Sequence, residues 1–120
     1  MEKSKQFTEL IVWQKAHSFV LKIYALTRNF PKEELYGLTN QLRRAAISVP
    51  ANIAEGYKKR GKLDKVRYLN TAEGSLNECH YYLILSADLG FTDSKLMIDD
   101  LEEIGKLLTA YSKAILSSIS

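Results

Sequence analysis

The 120-residue sequence predicts a single all-α domain, an antiparallel up-and-down bundle of four helices. Three observations support this prediction: apolar residues recur at alternating spacings of three and four, prolines number only two, and the segments between the periodic stretches are short. Short connections between helices of similar length make successive helices antiparallel. We therefore expect one domain over residues 1–120, with helices at about 10–29, 37–60, 64–89 and 93–117.

The first two predicted helices are separated by Pro31, and the second contains a proline of its own, Pro50. An internal proline removes one backbone N–H and crowds the carbonyl four residues earlier, so it kinks or breaks a helix. Two alternatives follow: one bent helix through Pro50, or a fresh segment capped by Ser48. Because the apolar stripe from Leu38 to Gly56 keeps its phase across Pro50, we favour the bent helix.

The third and fourth predicted helices are divided by turn-forming residues. Gly90 is suited to the left-handed conformation that commonly ends a helix. Thr92 and Asp93 suit a helix start, because their side-chain oxygens accept free backbone N–H groups. The expected core stripe of the third helix comprises Val66, Leu69, Leu76, Leu83 and Ala87.

Apolar residues on the first and third helices exceed the single stripe that an antiparallel bundle requires. Such a surplus indicates a second contact, and exposed apolar patches usually mark a protein interface. We therefore expect a homo-oligomer; the alternative is a wide core within one chain. The predicted oligomer interface comprises Trp13, Tyr24, Tyr81, Tyr82 and Leu85.

The formal net charge of +3 conceals an asymmetry along the chain. Residues 1–67 contain 14 Lys and Arg against 6 Asp and Glu, whereas residues 68–120 contain 3 against 8. This division predicts one basic and one acidic surface. Either the basic surface binds a polyanion, or the two surfaces meet in an assembly.

The densest basic stretch spans residues 58–67 at the junction of the second and third helices. It places six cations in ten residues beside a single acid, Asp64, which is the charge pattern of a phosphate-backbone binder. Tyr57 and Tyr68 flank it and are candidates for stacking on unpaired bases. The alternative is a helix–turn–helix corner whose lysines serve solubility alone. The predicted nucleic-acid-binding residues here are Lys58, Lys59, Arg60, Lys62, Lys65 and Arg67.

Arg43 and Arg44 form a second basic candidate on the second helix. If the helix continues through its proline, Arg44, Lys58 and Lys62 lie within about 40° of one face. The alternative role for one arginine of the pair is an ion pair with Glu55 or with an acid on a neighbouring helix.

No catalytic or metal-binding pattern is found in the sequence, so we expect a protein without enzymatic activity, cofactor or metal. His17 and His80 have no partner at ligand spacing, and the single cysteine, Cys79, lies close to an apolar stripe, as a small core residue does. No apolar run of about 18 residues predicts a membrane span, and no signal peptide is evident. The single cysteine fits a reducing compartment, and we expect a cytoplasmic protein.

Five ordered segments resemble a known bacterial family, the four-helix-bundle proteins encoded in intervening sequences of large-subunit (23S) ribosomal RNA genes. The resemblance covers about residues 7–92. The chain departs from the family pattern at Glu73, where the usual Ala-Arg-Gly-Ser motif has arginine. The segments are LIVWQKA at 10–16, FPKEE at 30–34, YGLTNQLRRAA at 36–46, SVPANIAEG at 48–56 and AEGSLNE at 72–78.

This resemblance implies an up-and-down bundle that assembles into a homopentameric barrel. More distantly, the chain is similar to accessory proteins of diversity-generating retroelements, basic pentamers with a proposed role in binding nucleic acid and a reverse transcriptase. By that analogy Arg43, Arg44 and the 58–67 run contact phosphates. We expect a non-enzymatic oligomer that binds nucleic acid, RNA or DNA, with structured RNA favoured; the alternative is a protein-interaction scaffold or adaptor with no direct nucleic-acid role.

Overall fold

Four helices contain most of residues 5–118, which are the residues that the computed structural model describes. They are α1 (Ile11–Thr27), α2 (Leu38–Lys58), α3 (Lys62–Asp88) and α4 (Lys95–Ser117). Short 3-10 turns precede α1 at Phe7–Glu9 and α2 at Lys32–Glu34. Residues 5–118 contain no strand, so the predicted all-α, four-helix fold is confirmed.

The four helices are arranged in a square. Each helix packs against the helix before and after it in the chain, and α4 closes the square against α1. The diagonal helices α1 and α3 are not adjacent: no Cα atoms of the two lie within 8 Å of each other. The molecule is 50 Å long, so its two ends are well separated. We call the end with the α2–α3 turn, the start of α1 and the end of α4 the proximal end, and the other the distal end.

The distal connection between α3 and α4 is fixed by backbone hydrogen bonds around Gly90. This glycine has φ of +78°, a left-handed conformation, so its prediction as the helix cap is confirmed. The Phe91 N–H donates to the Ser86 carbonyl at 2.9 Å, and the Gly90 N–H donates to the Ala87 carbonyl at 3.0 Å. These two bonds are the Schellman arrangement, which satisfies carbonyls left free at a helix end. Ala87 itself is exposed, so placing it in the core stripe was wrong.

The start of α4 lies two residues later than expected. Thr92 and Asp93 precede the helix, which begins at Lys95. Asp93 still acts at this terminus, because its carboxylate accepts the Lys95 N–H at 3.1 Å. The Ser94 hydroxyl is buried and donates to the Leu83 carbonyl on α3 at 3.0 Å. This bond across the helices ties the N-terminus of α4 to α3.

Pro50 lies inside α2, which is one helix from Leu38 to Lys58. The alternative in which Ser48 caps a fresh segment is therefore excluded, while the bend at Pro50 stays a prediction. Instead of capping, the Ser48 hydroxyl accepts a hydrogen bond from Ser75 on α3 at 2.8 Å and another from the Asn52 amide at 2.9 Å.

The ends of α2 and α3 approach closely at Gly56. A Cβ atom there would lie 3.1 Å from both the Lys65 carbonyl oxygen and the Tyr68 Cβ. Only a residue without a side chain permits this approach without movement of α3. The close contact fixes how the first turns of α3, with their cations, lie against the end of α2.

Candidate nucleic-acid interface

Residues 58–67, which we call the basic corner, form the last residue of α2, the turn after it and the first turns of α3. They lie at the proximal end of the bundle. Extending the corner to Glu55 adds one acid, so residues 55–67 hold six cations against two acids. The corner therefore keeps a local positive charge even when both acids are paired.

Lys65 has a structural role within the basic corner. Its ammonium donates to the Tyr57 carbonyl at 2.7 Å and lies 5.5 Å from the centre of the Tyr57 ring. That carbonyl belongs to the last turn of α2, where carbonyls lack partners within the helix. Partial burial lowers the pKa of Lys65 below its ordinary value. Its contacts are thus directed into the protein.

Three further cations of the basic corner contact groups of the same chain. Lys59 lies 3.9 Å from a Glu55 carboxylate oxygen, and Arg67 lies 2.8 Å from one of Asp64. The Lys59 side chain is partly buried, but its acid and both members of the Arg67 pair are more than half exposed. Each pair therefore contributes little to stability and can exchange for a phosphate. The Lys62 ammonium hydrogen-bonds the Ser118 carbonyl after α4.

Lys58 and Arg60 are the unengaged cations of the corner. Both are exposed, and neither forms an ion pair or a side-chain hydrogen bond within residues 5–118. Their charges are therefore available to a ligand without breaking a contact in the protein.

The two flanking tyrosines already contact cations. Tyr57 lies beneath the Lys65 ammonium, and the Tyr68 ring centre is 5.1 Å from the Lys59 ammonium and 5.9 Å from the Arg67 guanidinium. Both rings are partly buried. A base that stacks on the cation-bearing face of either ring competes with that cation, so this geometry favours phosphate contacts over base stacking.

Arg43 and Arg44 are separated from the basic corner along α2. Arg44 is exposed and shares a helix face with Lys58, but 14 residues of helix place them about 21 Å apart. Placing Lys62 on the same face was wrong, because α2 ends at Lys58 and Lys62 begins α3. Arg43 is partly buried; its Nε donates to the Thr27 hydroxyl at 2.8 Å, and its guanidinium lies 4.5 Å from the Tyr24 ring centre. Across residues 5–118 neither arginine forms an ion pair, so the expected alternative partner, Glu55, is not used.

Sequence reasoning did not identify Lys5 as part of this region. The segment before α1 brings Lys5 and Phe7 beside Lys58, and together they line a cavity of about 420 Å³. Lys5 is exposed and adds a further positive charge near the corner. No local signal marks it, because about fifty residues separate it from the corner in the sequence.

The predicted oligomer-interface residues lie in two groups, on the diagonal helices α1 and α3, which are not adjacent. On α1, Trp13 and Tyr24 are partly buried against the core, and Trp13 stacks on His17 with ring centres 4.9 Å apart. On α3, Tyr82 and Leu85 are likewise partly buried against the core.

Tyr81 differs from the other four predicted interface residues. It is 58% exposed, and its neighbour one turn further along α3, Ile84, is 43% exposed. Most of the predicted interface residues therefore pack against the core of their own chain. The surface of α3 around Tyr81 and Ile84 stays exposed.

The structure also defines the surroundings of the potential metal ligands and of the single cysteine. The described part of the chain contains no cluster of three or more His, Cys, Asp or Glu side chains that could hold a metal ion. Cys79 is buried, and burial together with the nearby Glu78 carboxylate raises its pKa to about 12, so it is held as the neutral thiol. No helix within residues 5–118 is long and apolar enough to cross a membrane.

Comparison with solved structures finds a similar bundle. A protein of unknown function from the S23 ribosomal protein family of Bacteroides thetaiotaomicron superposes with a TM-score of 0.77 at 27% sequence identity. The match covers 86% of this chain and 96% of that chain. No curated protein matches this sequence.

A family model also matches the chain, over residues 8–110. It describes the 23S rRNA-intervening sequence proteins, the family whose resemblance was predicted from the sequence segments. The similarity to retroelement accessory proteins stays a prediction. Because the match extends over most of the bundle, the chain belongs to the 23S rRNA-intervening sequence protein family.

Proposed function

We propose that this protein is a non-enzymatic homo-oligomer that binds structured RNA through the phosphate backbone, using the basic corner. The observation that carries the proposal is the pair of exposed, unengaged cations Lys58 and Arg60 in a corner with six cations and few acids. Backbone phosphates bind to clustered cations through charge, and this binding does not require the cations to be held in a fixed geometry. The family description names 23S rRNA, which makes RNA the first nucleic acid to test.

The contacts within the corner assign different tasks to its cations. Lys58 and Arg60 are the primary phosphate contacts, with Lys5 alongside. Lys59 and Arg67 add to the positive electrostatic potential of the corner. Each can leave its ion pair with an exposed carboxylate and pair with a phosphate instead. Lys65 maintains the corner by holding the end of α2, and its replacement would confound a binding test with a change in stability.

The partner expected from these contacts is double-stranded or folded RNA. Tyr57 and Tyr68 have cation contacts of their own, so stacking of unpaired bases is disfavoured. Recognition then depends on phosphates and on helix shape more than on base sequence. The exposed guanidinium of Arg44, about 21 Å along α2, is a further contact that a long duplex can reach.

A matched pair of variants tests the role of the basic corner. We expect Lys58→Gln/Arg60→Gln to weaken binding of a labelled RNA duplex by at least about tenfold, since two charge-assisted phosphate contacts are lost. The control is Lys95→Gln/Lys106→Gln, which removes the same charge from exposed α4 positions that form no ion pair within residues 5–118. Fluorescence anisotropy near physiological salt measures both, and circular dichroism checks the fold. Equal weakening in the two variants would sink the proposal.

The second candidate is a scaffold that binds a partner protein. The exposed apolar pair Tyr81 and Ile84 on α3 favours it. This function predicts that a specific protein copurifies with the chain from its host, and that RNA is absent from the preparation. Recovery of RNA that is released by salt supports the first candidate instead.

The homo-oligomer is proposed as a ring, a homopentamer by resemblance. Since α1 and α3 lie on a diagonal of the square, the α1 group of Trp13 and Tyr24 and the α3 group of Tyr81, Tyr82 and Leu85 belong to different sides of one chain. Contact between the α1 group of one copy and the α3 group of the next is a heterologous interface, which closes into a ring when the rotation allows.

A further inference from the structure

A second cationic feature lies at the distal end, away from the basic corner. A half-open cavity of about 310 Å³ is lined by the end of α1, the connection after it and the first turn of α2. Three of its lining residues are ionisable, Arg28, Lys32 and Arg43, and all three are cations. No acid lines it, although Glu33 and Glu34 are close in sequence. The Glu34 carboxylate instead accepts the Leu38 N–H at 3.0 Å.

The three cations are not neutralised by the rest of the protein. Within residues 5–118, none of Arg28, Lys32 and Arg43 forms an ion pair. Convergence of three like charges on one cavity is unfavourable unless an anion enters, because each raises the electrostatic energy of the others. A ligand that carries two negative charges relieves this repulsion.

Arg43 is held in position at the wall of this cavity. Its Nε donates to the Thr27 hydroxyl, and that hydroxyl is fixed by its own 2.7 Å hydrogen bond to the Ile23 carbonyl. The Tyr24 ring packs against the guanidinium. With Nε engaged, the two terminal nitrogens remain as donors, and neither forms a hydrogen bond within residues 5–118. A planar guanidinium held in this way is suited to bidentate contact with phosphate oxygens.

Thr39 offers a hydroxyl to this cavity. The residue lines the cavity and is only 3% exposed, and its hydroxyl forms no hydrogen bond within residues 5–118. Because this oxygen is not among the fully buried atoms that lack a partner, it opens to the cavity, where it is available to a ligand without breaking a bond in the protein. Thr39 also belongs to the first turn of α2, so the positive end of that helix dipole lies beside the cavity.

We propose that this distal cavity binds a phosphate monoester. Arg43, Arg28 and Lys32 contact the phosphate oxygens, and the Thr39 hydroxyl donates to one of them. Phe30, Pro31 and Leu35 form the apolar part of the lining and contact the organic portion of the ligand. The volume is near the lower limit for small-molecule sites, which fits a single nucleotide unit. The unit is either a free nucleoside monophosphate or the 5′-phosphorylated end of an RNA.

Titration calorimetry with adenosine 5′-monophosphate tests the proposal, with adenosine and inorganic phosphate as companion probes. We expect the monophosphate to bind more tightly than either probe. Arg28→Gln/Lys32→Gln should weaken that binding by about a hundredfold, roughly tenfold for each lost charge-assisted contact. Both side chains are exposed, so the variant is expected to fold. Lys95→Gln/Lys106→Gln is the charge-matched control and should bind as the unmodified protein does.

Absence of binding by the unmodified protein overturns the proposal, as does an equal loss in the control variant. The conservative Arg43→Lys variant separates charge from geometry. It keeps the positive charge but loses the paired N–H donors of the planar guanidinium, and it should bind the monophosphate at least about tenfold more weakly.

The two ligand sources are distinguished in the Lys58→Gln/Arg60→Gln background, where the basic corner is weakened. Tighter binding of a short 5′-phosphorylated RNA than of its 5′-hydroxyl counterpart identifies the RNA end as the ligand. Equal binding of the two RNAs, with retained binding of the monophosphate, identifies the free nucleotide. The distal site does not depend on RNA binding at the corner, so either can fail while the other stands.

Discussion

At the scale of single residues, Gly56 and Gly74 form a natural comparison because both lie in helices and only one has a close neighbour. A Cβ at Gly56 would lie 3.1 Å from the Lys65 carbonyl oxygen, which belongs to the rigid backbone of α3. A Cβ at Gly74 would meet nothing within 4 Å. The close approach of two helices is therefore at Gly56 and not at Gly74.

We expect Gly56→Ala to lower the free energy of unfolding by roughly 1 kcal/mol, since overpacking costs about 1–3 kcal/mol and the better helix propensity of alanine returns about 1 kcal/mol. Gly74→Ala should raise the free energy of unfolding by up to about 1 kcal/mol, because alanine has the better helix propensity and its Cβ would meet no close neighbour. Urea denaturation measures both. A stabilised Gly56→Ala variant would show that α3 can move and that the close approach is not a constraint.

Cys79 makes the protein sensitive to alkaline pH. Its pKa is raised from 9.0 to about 12 by burial and by Glu78, so the folded state favours the neutral thiol. The contribution of the neutral Cys79 thiol to the free energy of unfolding is fully present below pH 9. It is lost as pH rises from 9 towards 12, because the thiol of the unfolded chain ionises first. At pH 10.5 we expect a loss of about 2 kcal/mol relative to pH 8 from this group. Cys79→Ala should lack this part of the pH dependence in denaturation curves; identical pH profiles for the two proteins would contradict the assignment.

At the scale of elements, the hydrogen bond from Lys65 to the Tyr57 carbonyl links the start of α3 to the end of α2. We expect Lys65→Met to lower the free energy of unfolding by about 1 kcal/mol, because a helix-terminal carbonyl loses its donor. Lys58→Met, at an exposed position with no partner, should change it by less than about 0.5 kcal/mol. Thermal denaturation provides the measurement, and equal effects at the two lysines would contradict a specific role for Lys65.

The helices themselves were predictable because their apolar residues repeat with the period of the α-helix. The cap at Gly90 was predictable for the same local reason, since glycine is the residue that most readily adopts positive φ. The start of α4 was displaced because Ser94 bonds to α3 rather than to its own helix. A contact of that kind depends on a distant element and leaves no local signal.

The candidate site was predictable in its charge but not in its contacts. The run of cations at 58–67 is visible in the sequence. The sequence does not show which of these cations lack a partner in the protein. Lys62 and Lys65 hydrogen-bond to backbone carbonyls that only the fold brings close to them. The same limit applies to Arg43, whose partner Thr27 lies on another helix, and to the distal cavity that the two residues line.

At the scale of the whole molecule, the charge division of the sequence has two consequences. Some cations of the basic half pair with acids of the acidic half within the same chain. Lys22 lies 2.8 Å from Asp100 and Lys15 lies 3.6 Å from Glu103, and both pairs join α1 to α4. The basic corner is not compensated in this way. The bundle therefore has one end with surplus positive charge, which attracts a polyanion from a distance at low salt.

Assembly is also a property of the whole molecule. We expect light scattering to give a mass about five times the 13.6 kDa of one chain if the pentamer implied by resemblance forms. Tyr81→Glu should reduce that mass, because a charge enters the exposed apolar part of α3. Leu96→Glu, at an apolar residue of α4 that is 78% exposed, serves as the control. A monomer mass for the unmodified protein contradicts the oligomer.

The most direct test of the central claim is the salt dependence of RNA affinity. Binding of a labelled RNA duplex, followed by anisotropy from about 50 mM to about 200 mM salt, should show log affinity falling linearly with log salt concentration. The Lys58→Gln/Arg60→Gln variant should give a slope shallower by about two, one for each lost phosphate contact. An affinity that does not change with salt, or an unchanged slope in the variant, would contradict phosphate recognition by the basic corner.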